Sequence, residues 1–132
     1  MIRLDLLPTD TEVFAIMVDK ERVGSIAWRA TSEWNTRGHI SYAVAEEHRC
    51  KGYAKAAVNA LLDRILDMEW RFDKVQICCA VDNVASRAVV EACGGIRDLS
   101  RGEIFKDPTD NQWTVSYWVP VKKVLDTVNH KD

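Results

Sequence analysis

Arg49-Cys50-Lys51-Gly52-Tyr53-Ala54 sets two cations and a glycine directly ahead of an alanine-rich amphipathic run. An ordinary helix start carries Ser, Thr, Asp or Asn as its cap, and this one carries none of them. The first N–H groups of a helix have no partners inside it, and that end bears a partial positive charge. It takes an anion readily if the chain leading in wraps the anion closely. Gly52 permits the approach, Ala54 keeps bulk away, and Arg49 and Lys51 add charge. The chemistry that suits this spacing is the binding of a diphosphate.

Three residues ahead of the loop are candidates for moving a proton: His39, Tyr42 and Glu33. An imidazole titrates near neutral pH, which favours His39. Strand alternation puts Tyr42 on the face opposite His39. The choice among the three stays open. Cys50, Cys78, Cys79 and Cys93 form no C-x-x-C pair, so structural zinc is not expected. They read as reduced thiols of a cytoplasmic protein, with Cys50 contributing mainly its backbone.

The elements that must position these residues follow from periodicity. "EVFAIMV" (12–18) and "VGSIAWRA" (23–30) are apolar runs separated by "DKER", the pattern of a hairpin. "HISYAVA" (39–45) is the next strand, and a short extra strand is expected at 2–7. From Gly52 to Met68 the period becomes helical, with Ala54, Val58, Leu61, Leu62, Ile65 and Leu66 on one face. "KVQICCAV" (74–81) reads as a central strand covered on both sides. Asp82 or Asn83 caps a second helix to Cys93, and Gly94-Gly95 ends it. Strands at 96–105 and 112–120 complete the order. Consecutive strands pair antiparallel, whereas a helical crossover joins strands 39–45 and 74–81 as parallel neighbours.

The 132 residues suit one domain, 1–132, and 47% hydrophobic with 29% charged residues is a globular composition. A net charge of −2 argues against nucleic acid as a partner. No apolar run is long enough to span a membrane, and "MIRLDLLPTD" lacks the apolar core of a signal peptide. Edges on the last strands and several tryptophans suggest a homodimer.

Arg49-x-x-Gly52-x-Ala54, entered from a strand and opening a helix, resembles the acyl-CoA loop of the GNAT superfamily of N-acetyltransferases. "NVASRAVVEACGG" (83–95) is similar to the second family motif, and the resemblance covers about residues 12–120. It implies an α/β fold (α+β by some schemes): a mixed, mostly antiparallel sheet with a parallel, splayed central pair and flanking helices. It also implies acetyl-CoA as cosubstrate, no metal, and direct attack by the amine of a small molecule, peptide or protein. The pyrophosphate would take N–H bonds from Cys50, Lys51, Gly52, Tyr53 and Ala54 beside Arg49. The pantetheine would pair with backbone near Val44 and Ala45. Asn83 and Ser86, with Arg87 in reach, would hold the cofactor from the other side.

Two departures follow from the same comparison. Val90 stands where many members carry a tyrosine that protonates the leaving thiolate. The general acid is therefore unassigned, with Cys93 nearly one turn on and water as an alternative. "LLPTDT" is too short for the one or two helices that usually wall the acceptor site, which predicts a site that is open, or closed by a partner subunit; an open one suits a lysine or a chain terminus. A catalytically silent CoA-binding module is the other function consistent with these departures.

Overall fold

The computed structural model of the chain describes residues 2–6, 12–29, 39–67, 73–108 and 110–121. Glu33 and the rest of the stretch before His39 lie outside the described residues. Four strands come first: β1 (Ile2–Leu6), β2 (Glu12–Val18), β3 (Glu21–Arg29) and β4 (His39–Val44). α1 (Tyr53–Asp67), β5 (Lys74–Ala80) and α2 (Val84–Ala92) follow, then β6 (Ile96–Arg97), β7 (Phe105–Lys106) and β8 (Trp113–Pro120). They build one sheet in the order β1-β2-β3-β4-β5-β8-β6, with β7 also beside β8. Every neighbouring pair is antiparallel except β4–β5, which α1 connects. The mixed sheet with one parallel central pair is the fold class expected from the sequence.

Strand alternation sends apolar side chains to one face. Phe14, Ile16, Ile26, Trp28, Ile40, Val75, Ile77, Val115, Tyr117 and Val119 form it. α1 lays Ala57, Val58, Leu61, Leu62 and Ile65 on this face, and α2 adds Val90. Burying each large aliphatic contributes about 1.5–3 kcal/mol, so this layer fixes where α1 starts relative to β4. Leu66, expected in the buried stripe, is exposed instead. It lies one residue past Ile65, rotated about 100° around the helix. At β5 and β8 the opposite face of the sheet is polar: Gln76 and Ser116 are buried there against Asp98.

The run 96–105 is not one strand. The Asp98 carboxylate accepts the Ser100 N–H at 3.0 Å and a Gln76 Nε2 hydrogen at 3.2 Å. Gly102 then turns with φ +89°. The backbone leaves the sheet after Arg97 and returns at Phe105. β8 is also not an edge: all seven residues of β5 pair with it, from Lys74↔Pro120 to Ala80↔Thr114. Among the described residues, the outer neighbours of β8 are the two-residue strands β6 and β7.

The feature that positions the site is the brevity of the β4–β5 ladder. It holds only His39↔Gln76 and Ile40↔Ile77. Beyond these, β4 pairs with β3 alone and β5 with β8 alone. The two strands part toward their C-terminal ends, where the loop into α1 begins.

Candidate active site

The loop is built by local hydrogen bonding. Ala45 N–H donates to Val23 O at 2.8 Å, which pins the end of β4 to β3. A single 3₁₀ turn, Glu46–His48, follows, and Arg49 N–H closes it on Glu46 O. Cys50 then has φ +64° and Gly52 φ +81°. Left-handed residues in a turn make the concave backbone arrangement that binds anions. Gly52 O accepts the first bond of α1, from Ala56 N–H at 3.1 Å. Among the described residues, the N–H groups of Cys50 to Lys55 donate to no other group of the chain. A β-carbon on Gly52 would meet nothing within 4 Å, so the loop faces open space.

That space is a cavity of about 460 Å³ bounded by the end of β4, the loop and the starts of the two helices. One end is the loop: Arg49, Cys50, Gly52, Tyr53, Ala54 and Lys55, with His48 beside it. The floor is β4, through Tyr42, Ala43 and Val44. The far wall is the start of α2, through Asn83, Ala85, Ser86 and Val89. No carboxylate lines it among the described residues, in a chain with 20 acidic residues. Cations and uncommitted N–H groups at one end, apolar and hydroxyl groups at the other, fit a long ligand with an anionic head and a neutral tail.

The expected residues are distributed as follows. Val44, Arg49, Cys50, Gly52, Tyr53, Ala54, Asn83 and Ser86 all line the cavity. Ala45 and Lys51 do not: Ala45 is held against β3, and Lys51 is exposed. The Val44 carbonyl, expected to pair with a ligand, accepts a hydrogen from Arg49 Nε at 2.9 Å. Asn83 caps α2, its Oδ1 accepting the Ser86 N–H at 3.0 Å. Arg87 does not line the cavity. Its guanidinium donates to Tyr117 Oη at 3.2 Å and to Val81 O at 3.0 Å, and Tyr117 Oη in turn donates to Glu91 Oε2 at 2.7 Å. This network ties α2 to β8.

Ala43, His48, Lys55, Ala85 and Val89 belong to the lining without having been expected there. For Lys55 and Val89 a signal existed. Lys55 lies in the first turn of α1, and Val89 lies three residues from Ser86 on the same helix face. His48 depends on the 3₁₀ turn and forms an ion pair with Glu21 at 3.2 Å when protonated.

Tyr42 and His39 fall on opposite sides of the sheet. The Tyr42 hydroxyl shares a 2.8 Å hydrogen bond with Ser86 Oγ and donates to the Ser86 carbonyl oxygen at 3.2 Å. Ser86 Oγ reaches Cys79 Sγ at 3.4 Å. β4, β5 and α2 thus meet just past the last β4–β5 pair. Burial pushes the Tyr42 phenol up to about 12. His39 is on the polar face, and burial lowers its pKa, with Arg29 and Arg101 adding to that and Asp107 opposing. Cys78, on the same face, is pushed up to about 11 by burial. Val90 is fully buried and offers the cavity nothing. Cys93 packs against the core and is not in the lining either.

No group of three or more His, Cys, Asp or Glu among the described residues has the geometry to hold a metal ion. No helix among them is long and apolar enough to cross a membrane.

A family model described as an acetyltransferase (GNAT) domain matches residues 3–96. The Bacillus subtilis (strain 168) protein named "Putative ribosomal N-acetyltransferase YdaF" is 31% identical over 83 residues, 63% of this chain and 45% of that protein. The structure of the microcin self-immunity acetyltransferase MccE, in complex with acetyl-CoA and AMP, aligns with a TM-score of 0.68 at 18% identity. The alignment covers 83% of this chain and 61% of that one. A spermidine N-acetyltransferase SpeG chimera from Vibrio cholerae and hSSAT aligns with a TM-score of 0.69 at 19% identity, over 90% of this chain and 70% of that one. At such identities these two structures establish the fold. The chain spans less than half the length of the curated relative it matches. The matched segment runs from β1 to the start of β6 and contains every residue that lines the cavity, and the chain belongs to the GNAT acetyltransferase domain family.

Proposed function

We propose that the chain is an acetyl-CoA-dependent N-acetyltransferase that transfers the acetyl group by direct attack of a primary amine, with a peptide or protein amine as acceptor. The observation that carries this reading is the carboxylate-free cavity running from the uncapped start of α1 to the parting of β4 and β5. The N–H groups of Cys50 to Lys55 would hold the diphosphate of the cosubstrate, with Arg49 and Lys55 as counter-charges. Asn83, Ser86 and Val89 would wall its neutral arm. The cosubstrate supplies an activated thioester, so the chain has to align, polarise and remove a proton.

His39 suits the proton's removal. Its lowered pKa keeps the imidazole neutral at physiological pH, the form that accepts a proton. It lies on the sheet face opposite the cavity, so an amine approaching there reaches the thioester from the side away from the diphosphate. The acceptor class follows from the connection between β1 and β2. Leu6 and Glu12 are separated by five residues, too few for a helical wall. An open approach suits an amine carried on a large molecule. YdaF is named a putative ribosomal N-acetyltransferase and the SpeG chimera a spermidine N-acetyltransferase. The four cysteines are all free, which suits a reducing compartment such as the cytoplasm.

The test is an acceptor panel read by mass spectrometry: peptides with a free N-terminus, peptides with lysine, spermidine and an aminoglycoside. Acetylated peptide is the expected product. Robust turnover of spermidine or the aminoglycoside with none of the peptides would overturn the acceptor class. Acetyl-CoA binding with no product from any amine would favour a silent CoA-binding module, the reading that the buried Val90 supports.

A further inference from the structure

The cavity has one polar cluster that the binding of an anionic head does not use. It lies at the other end, where the strands part. Tyr42 comes from β4, Cys79 from β5 and Ser86 from the first turn of α2. The three polar atoms form a chain, Tyr42 Oη to Ser86 Oγ at 2.8 Å and Ser86 Oγ to Cys79 Sγ at 3.4 Å. Tyr42 and Ser86 line the cavity, and Cys79 is buried behind them. The ladder stops at Ile40↔Ile77, so Tyr42 and Cys79 are each two residues past the last pair, on the same face. From Tyr42 to the loop at Arg49, β4 provides the floor. A ligand with its diphosphate at the α1 start and its arm along β4 brings its far end to this cluster.

We infer that Tyr42 is a catalytic residue whose hydroxyl donates a hydrogen bond to the departing sulfur of the thioester and keeps its own proton. This rests on the acetyl-CoA reading above. Balance requires no more from it. The amine nitrogen forms the new C–N bond, and the C–S bond breaks with its electron pair on sulfur. The amine's surplus proton leaves on the opposite sheet face. The sulfur departs as a thiolate that a fixed donor stabilises, as donors stabilise developing negative charge elsewhere.

The distinction between donating a bond and giving up the proton is physical. Burial holds the Tyr42 phenol at about 12, whereas an ordinary thiol titrates at about 8.5. Full transfer from phenol to thiolate would run uphill, and a protonated phenol is a permanent donor. Ser86 orients it: Ser86 Oγ can donate to the phenol oxygen at 2.8 Å, and the phenol hydrogen, which the Ser86 carbonyl accepts at 3.2 Å in the free chain, turns to the sulfur when the thioester is bound. The role is filled from the strand because Val90 on α2 is fully buried and Cys93 is outside the lining.

The test compares wild type, Tyr42→Phe and Ser86→Ala in complex with CoA. The thiol of bound CoA is titrated by the ultraviolet absorbance of its thiolate, with the desulfo-CoA complex subtracted. In wild type and in Ser86→Ala the bound thiol should titrate about one unit lower than in Tyr42→Phe, the size expected for one hydrogen bond to a charged group. In turnover, Tyr42→Phe should lower kcat about 10- to 100-fold and leave the KM for acetyl-CoA within about twofold. Equal thiol titration in wild type and Tyr42→Phe, with CoA bound by both, would overturn the inference while leaving the acetyl-CoA reading intact. So would a shift abolished by Ser86→Ala alone, since that would make serine the donor. Absence of CoA binding by folded wild type would remove both.

Discussion

At His39, burial, then Arg29 and Arg101, outweigh the Asp107 carboxylate and hold the imidazole below its ordinary value of 6.5. The sign has two consequences. As a base, His39 is in its working form down to a pH below 6.5, so the acid limb of kcat/KM should lie below that value. His39→Gln should remove that limb, and a pH–rate series on both proteins checks it; an unchanged limb would take His39 out of the mechanism. For stability, the unfolded chain binds the proton more readily than the folded one. Stability contributed by a neutral His39 is therefore present above 6.5 and is lost as the pH falls toward the folded value. Thermal scans should show the midpoint falling on the acid side of 6.5 in wild type and falling less in His39→Gln. Tyr42 presents the opposite case, a phenol that never ionises in the working range. Both residues could be named from the sequence as chemistry-bearing, and strand alternation placed them on opposite faces. Their partners could not be read there. Ser86 lies 44 residues from Tyr42, and Arg101 and Asp107 reach His39 only because the chain after β6 leaves the sheet.

Between elements, β3 packs closely against the end of β4 at Gly24. A β-carbon at Gly24 would lie 2.2 Å from the Ala43 carbonyl oxygen and 3.0 Å from Val44 Cα, and both are backbone that cannot turn aside. Gly24→Ala should force the floor of the cavity to shift. The expected loss is about 1–3 kcal/mol, measured by urea unfolding, together with weaker acetyl-CoA binding because Ala43 and Val44 line the cavity. Unchanged stability and affinity would mean that the strands slide freely there. α1 and the junction ahead of it were legible because both signals are local: a helical period and a glycine between two cations. The end of α2 was also legible. Gly95 has room for no β-carbon, which would come within 2.7 Å of Val90 Cγ1. The run 96–105 was misread because its apolar residues fit a strand, while its break depends on Asp98 meeting Gln76 and Ser116 across the sheet. No neighbour in sequence announces that contact. The place of β8 beside β5 is not legible in the sequence for the same reason, since pairing order is a property of the assembled sheet.

At the scale of the molecule, one sheet separates two chemistries. One face holds α1, α2 and the cavity with its cationic mouth; the other carries His39, Gln76, Cys78 and Ser116 beneath the chain from Asp98 to Asp107. β4 and β5 stay paired only through Ile40↔Ile77, and the direct transfer proposed above would use the gap beyond that pair. The claim on which this depends is that the cavity takes acetyl-CoA with its diphosphate on the α1 loop. The most direct measurement is calorimetric titration of acetyl-CoA into wild type, Gly52→Ala and Gly52→Glu. Gly52→Ala controls for the cost of a side chain at φ +81°, about 1–2 kcal/mol. The account predicts saturable binding to wild type, modestly weaker binding to Gly52→Ala, and none to Gly52→Glu, whose carboxylate would stand in the anion's place. Binding that survives Gly52→Glu unchanged would contradict the placement, and folded wild type that takes up no acetyl-CoA would contradict the account as a whole.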